Sequence, residues 1–123
     1  MGLGHALLWL APLVKSLSLF YSGYLACGIG FGGVWPIMVC VSADIWGLTN
    51  LGSNYMCFDA TTAFVGALVL GKILPQTVYS AHVTAGSNRC IGPSCFGLTH
   101  VIESACCAAG LACSVILWRR RQY

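Results

Sequence analysis

Apolar positions run along this chain in long unbroken blocks, without the i, i+3, i+4 stripe of a surface helix or the strict alternation of a half-buried strand. Residues 17–43 carry no formally charged side chain, and at 1.5 Å per residue such a block reaches about 40 Å as a helix. A bilayer core takes about 20 residues, so the block predicts a tilted or kinked span with Pro36 at the bend. Residues 53–74 predict a second span that ends at Lys72 and Pro75, with Trp46 before it and Tyr79 beyond it, where interfacial aromatics belong. Residues 98–118 predict a third, stopped by Arg119, Arg120 and Arg121. The first apolar block, Leu3 to Val14, would be about 18 Å long and cannot cross. Residues 1–14 therefore read as the end of a larger helix or as an interfacial piece. A secretory signal peptide has an apolar core of that size, but no Lys or Arg precedes this one.

Between the blocks lie a short polar connection, 44–52, and the longest polar segment, 75–97, whose Gly86, Ser87, Asn88, Gly92, Pro93 and Ser94 read as loop. A basic tail, 119–123, closes the chain. Composition removes the soluble alternative: 58% of residues are hydrophobic and 7% charged, against about 25% charged in a soluble domain. A core of this size cannot hide that much apolar surface. The expected class is an all-α membrane protein whose surroundings include the lipid bilayer. The net charge is +3, and half of the six basic residues are the terminal arginines, which leaves no basic stripe for nucleic acid. Lys15, Lys72 and Arg89 fall on one side of the predicted membrane and the terminal arginines on the other. Contiguous arginines directly after a span are the stronger retention signal, and pairing of Cys90 with Cys95 requires an oxidising compartment. Both place the C-terminus and the 44–52 connection in the cytoplasm and the 75–97 loop outside or in a lumen.

Asp59 stands about two turns into the 53–74 span, where a charge is costly and usually faces a bundle interior or a water-filled path. At helical spacing Asp59, Thr62 and Gly66 share a face, a polar stripe able to line a route for a proton or polar solute. The bland alternative is an interfacial Asp hydrogen-bonded for packing. His100 and Glu103 are three apart, and an interfacial histidine paired locally with its carboxylate is the expected state, although such a pair is able to relay protons. His100, Glu103, Cys106 and Cys107 are ligand types with no recognised metal spacing, so no metal site is expected, nor any cofactor. GIGFGG, at Gly28, Gly30, Gly32 and Gly33, has no preceding strand and sits within an apolar run, which excludes a phosphate loop. Gly28 and Gly32 instead predict close helix contact, and Ser104, Ala108 and Ala112 predict a packing seam for another helix. Cys90 and Cys95 enclose four residues that include Gly92 and Pro93, a spacing that admits a small loop disulfide. The other six cysteines lie in apolar runs as small hydrophobes. No nucleophile, base and acid constellation appears, so an enzyme is not expected.

Three segments carry a family resemblance. SADIWGLTNLGSNY (Ser42 to Tyr55) resembles the cytoplasmic connection between the last helix pairs of nodulin-like proteins of the major facilitator superfamily. CIGPSCFGL (Cys90 to Leu98) is similar to that family's final outer loop, and the apolar span ending in WRRRQY is similar to its last helix and basic tail. The resemblance covers roughly residues 17–123. It implies the last quarter to third of a transporter of about twelve helices, with a cytoplasmic C-terminus, the remaining transporter helices as partners, a small solute as cargo and alternating access as mechanism. It assigns no substrate ligand to Asp59 or Glu103. The family's N-terminal half has no counterpart here, so the chain is either a piece of such a transporter or a truncated copy without transport. The rival expectation is a small multi-spanning scaffold or assembly protein.

Overall fold

In a computed structural model, residues 1–83 and 89–121 are described, Arg121 by its backbone alone. Residues 84–88, in the predicted outer loop, and 122–123, in the predicted tail, lie outside them. Among the described residues every regular element is helical: α1 (Gly2–Val14), α2 (Leu17–Trp46), α3 (Leu51–Thr61), a π-helix (Thr62–Ile73), α4 (Leu74–Ala81), a 3₁₀ turn (Pro93–Cys95) and α5 (Gly97–Arg121). α3, the π-helix and α4 run on as one rod, Leu51–Ala81, so three helices are long and apolar enough to cross a membrane, beside the shorter α1. The chain is an all-α, multi-pass integral membrane protein.

The helix ends differ most from the expected ones at two places, and α5 also runs on through Arg121, into the expected tail. α2 continues through Asp44, Ile45 and Trp46, because nothing in that tripeptide stops a helix. Gly47 does so, at φ 77, a left-handed conformation that costs glycine little, and its N–H bonds the Ala43 carbonyl at 2.9 Å. The connection to α3 is thereby cut to residues 47–50. The third span, expected to stop at Pro75, runs on to Ala81, so residues 76–81 of the predicted loop are helical. Through Leu74 the bonding is wide, Leu74 N–H reaching back five residues to Val69 O. Pro75 then falls in the first turn of α4, where a missing N–H is tolerated. The Thr77 and Ser80 hydroxyls donate to the Ile73 and Gln76 carbonyls at 2.8 and 2.6 Å, which satisfies both hydroxyls within the helix.

α1 is the centre of what core there is. A two-residue turn at Lys15 and Ser16 folds it back on α2. Lys15 takes the left-handed position at φ 55, and the Ser16 side chain accepts from Leu19 N–H at 3.4 Å. α1 then packs along α2 on one side and α5 on the other. The contact with α2 is backbone on backbone: a methyl added at Gly4 would stand 2.9 Å from both Cys27 N and Gly23 O, and one added at Gly23 would stand 3.0 Å from Gly4 O. Toward α5, the Ser104 hydroxyl donates to Gly2 O at 3.3 Å. Leu8 and Ala11 are buried between the helices.

Elsewhere the apolar side chains face outward. The chain exposes 8897 Å², where a compact soluble monomer of this mass exposes about 6,300 Å². The most apolar stretches of the Leu51–Ala81 and Gly97–Arg120 spans bury none of their residues within the chain. Apolar area of that extent is at rest only against lipid or other helices.

Candidate functional site

Polar groups converge where α1, α2, the third span and α5 surround a cavity of about 600 Å³. Its walls are apolar, from Phe31, Val34, Trp35 and Met38 of α2 and from Ala63, Ala67 and Leu70 of the π-helix. Set into them are Asp59 and Thr62 on one side and His5 and Glu103 on the other. Asp59, Thr62 and Gly66 all line this space, the last of α3 handing over to the π-helix between the first two. The π register puts Gly66 and Gly71 above one another: a methyl at Gly71 would stand 3.3 Å from Gly66 O. π segments recur at functional sites because they re-aim neighbouring side chains. Among the described residues the Asp59 carboxylate has no ion-pair partner and faces the cavity half-buried.

Across the cavity a second polar group is internally paired. Glu103 Oε2 lies 3.2 Å from His100 Nδ1, one turn away on α5, and 3.0 Å from His5 Nδ1 on α1. The His100 contact has hydrogen-bond geometry. The His5 contact is equally close but misdirected, so the solvent-sealed His5 Nδ1 has no hydrogen-bond partner. The two imidazoles stand 5.8 Å apart, tilted by 33°. α1 positions His5 here because Gly4, beside it, lets the helix sink onto α2 while the next residue turns toward α5.

The expected local pairing of His100 with Glu103 is present at these distances. His5 is the residue that sequence reading missed. The signal was available: it is the one titratable side chain in the block from Leu3 to Val14, and a polar residue in an apolar helix needs a partner. That partner is about 98 positions away in sequence, beyond the reach of spacing rules. Cys106 and Cys107 border the same cavity, with Cys107 half-buried.

The residues expected to pack helices divide. Ser104 touches α1, as described. Ala108 and Ala112 are exposed. Gly28 and Gly32 are exposed as well, with open space where a side chain would stand. Within this chain close approach falls to Gly4 with Gly23 and to Gly30, which meets Met1. At the other end of the fold Cys90 and Cys95 form a disulfide with Cα atoms 5.8 Å apart, next to the 3₁₀ turn that leads into α5. The Tyr79 hydroxyl accepts from Cys90 N–H at 3.2 Å and its ring meets Phe96 at 5.6 Å, so the loop is fastened to α4 and α5 together.

No protein-family model matches the chain, and no solved structure matches it. A curated relative does: over 95 residues the chain is 30% identical to a protein of Yarrowia lipolytica (strain CLIB 122 / E 150) described as "Probable transporter MCH1", a match that covers 74% of this chain. It covers 19% of that protein, so the chain spans about a fifth of the length of the curated relative it matches.

Proposed function

We propose that this chain is the C-terminal part of a membrane solute transporter of the major facilitator type, nodulin-like in kind, and that it works by alternating access together with further helices. The observation that carries the reading is the similarity to a probable transporter along most of this chain and a minor part of the relative. Two structural features support it. The long spans leave their apolar faces uncovered, as helices of a larger bundle would. The cavity sets Asp59, Thr62 and Glu103 into an apolar wall, the construction by which a polar solute or proton is passed through a bundle. In this reading Asp59 and Thr62 face the solute path, and His100 with Glu103 holds its far wall. The C-terminus is cytoplasmic and the disulfide loop faces the oxidising side. The alternative, a small multi-spanning scaffold without transport, draws on the open face at Gly28 and Gly32.

The first test is the length of the endogenous polypeptide, by immunoblot of membrane fractions with an antibody to the 76–97 loop. A band several times larger than 13.0 kDa supports the transporter reading, and a band at that mass favours the scaffold. The second is uptake by the endogenous-length protein in proteoliposomes, against a panel of small organic anions and amino acids. Transport that falls at least about tenfold in Asp59→Asn places the carboxylate on the path. Uptake that is unchanged in that variant removes it.

A further inference from the structure

The cluster of His5, His100 and Glu103 is more than a paired carboxylate needs. We propose that these three side chains form a binding site for a divalent transition-metal ion of the zinc type, clamped between α1 and α5. The proposal does not depend on transport. It rests on distance, direction and donor chemistry.

Ligand atoms bound to one ion at about 2.0–2.2 Å, and separated by the angles of tetrahedral or octahedral coordination, stand about 2.8–3.6 Å from one another. His5 Nδ1 and His100 Nδ1 stand 3.0 and 3.2 Å from the same oxygen, Glu103 Oε2, and one ligand atom from each residue lies within 4.8 Å of the others. The two contacts to Glu103 are thus at the spacing that a shared ion sets, and the two imidazole nitrogens, within 4.8 Å of each other, would draw together on it. A hydrogen-bonded triad accounts for His100, whose Nδ1 is aimed at the carboxylate. It does not account for His5, whose Nδ1 is sealed from solvent and close to the oxygen but off the hydrogen-bond direction. Sealed polar atoms without a partner are rare and mark a missing one. An ion in front of all three atoms supplies it, because a metal needs the nitrogen lone pair and not a proton placed on the line to the oxygen.

Donor chemistry narrows the ion. Two imidazole nitrogens and one carboxylate oxygen suit zinc and its divalent neighbours, and do not suit calcium or magnesium, which take oxygen. Three protein ligands leave a fourth position free for water or another small ligand. Here that position opens on the cavity, since His5 and Glu103 both line it. Charge also favours the ion: a carboxylate held between apolar helices is costly alone, and a divalent cation offsets it. Because the ligands come from helices at opposite ends of the sequence, the ion would fasten α1 to α5 where the protein otherwise has the Ser104 to Gly2 bond.

The test uses the whole 123-residue chain, purified in detergent, stripped with chelator and titrated with Co²⁺ and then Zn²⁺. The expected result is one equivalent of Co²⁺ with visible ligand-field bands, displaced by Zn²⁺, and a zinc X-ray absorption spectrum that fits two imidazoles and oxygen without sulfur. His5→Ala, His100→Ala and Glu103→Gln should each weaken binding at least about tenfold, since loss of an outer-shell partner alone does as much. Cys106→Ala with Cys107→Ala should bind as the parent does. Three results would overturn the proposal: no bound Co²⁺ or Zn²⁺ at millimolar metal, full affinity in His5→Ala, or a sulfur-containing shell that disappears in the cysteine variant. Should a histidine variant lose its helical circular dichroism, the absorption spectrum of the parent protein still decides.

Discussion

α2 presents two sets of small residues, and they behave in opposite ways. Gly23 and Cys27 face α1, where Gly4 comes so close that the two backbones touch. Gly28 and Gly32 lie on another side of the same helix and meet nothing. Both pairs have the four-residue spacing of a membrane packing motif, so spacing alone does not say which pair is used. Position in the chain does: a two-residue turn at Lys15 returns α1 onto the face that holds Gly23, and among the described residues nothing is brought within contact of Gly28 or Gly32. α2 therefore has a clasped face, held to α1 by the glycine contact, and an open apolar face.

The largest effect that sharpens this contrast is expected at the clasp. Gly4→Leu would drive a side chain into Cys27 and the Gly23 carbonyl, with two backbone atoms as well as the Cys27 thiol on the receiving side. We expect about 3 kcal/mol of destabilisation, measured by thermal or denaturant unfolding in detergent followed by circular dichroism. Gly23→Leu should do the same, and the double variant should cost less than the sum because the contacts are reciprocal. Unfolding of Gly4→Leu at the parent midpoint would mean that α1 is not held as described.

Next in size is the disulfide. Cys90 and Cys95 are five apart, and closing so short a loop restricts the unfolded chain by about 2 kcal/mol. Cys90→Ser with Cys95→Ser should lower stability by that amount, and a reducing agent should lower the parent to the same level. The six remaining thiols are unpaired, so the reductant has no other bond to break, and a further loss in the double variant on reduction would contradict the assignment.

Much of the fold was legible because lipid imposes a simple rule: long uncharged blocks become helices, and the three spans follow. The departures have local causes. The charge at Asp44 looks like the start of a loop, but only Gly47 breaks the helix. Pro75 looks like a stop, but a wide π register upstream places it in a first turn. The site was legible by halves. Asp59 and Glu103 stand out as carboxylates in apolar sequence, and His100 is within one turn of Glu103. Their meeting across one cavity, and the arrival of His5 from α1, depend on tertiary packing that no spacing along a single helix encodes.

A smaller effect is expected at the seam between α1 and α5. Ser104→Ala removes the 3.3 Å bond to Gly2 O, and hydrogen bonds between membrane helices are worth about 0.6 kcal/mol on average. Loss of that order by reversible unfolding fits one modest bond on a seam that the His5–Glu103 contact also holds. A loss several times larger would show that Ser104 also orders the neighbouring Glu103.

The smallest effect on stability is expected at the open face, where it is also the most informative. Gly28→Ala and Gly32→Ala add methyl groups into empty space and replace the residue that loses most backbone freedom in a helix. Each should stabilise the isolated chain by about 0.5 kcal/mol. The sign depends on what covers the face. If another helix, from a longer polypeptide or a second subunit, closes on Gly28 and Gly32 as α1 closes on Gly23, the same methyl groups would hold the backbones apart. Cross-linking or single-molecule photobleaching in bilayers should then show weaker association although the monomer is more stable. Parent and variant associating equally would assign the face to lipid, and the contrast within α2 would be one between a helix contact and a lipid surface.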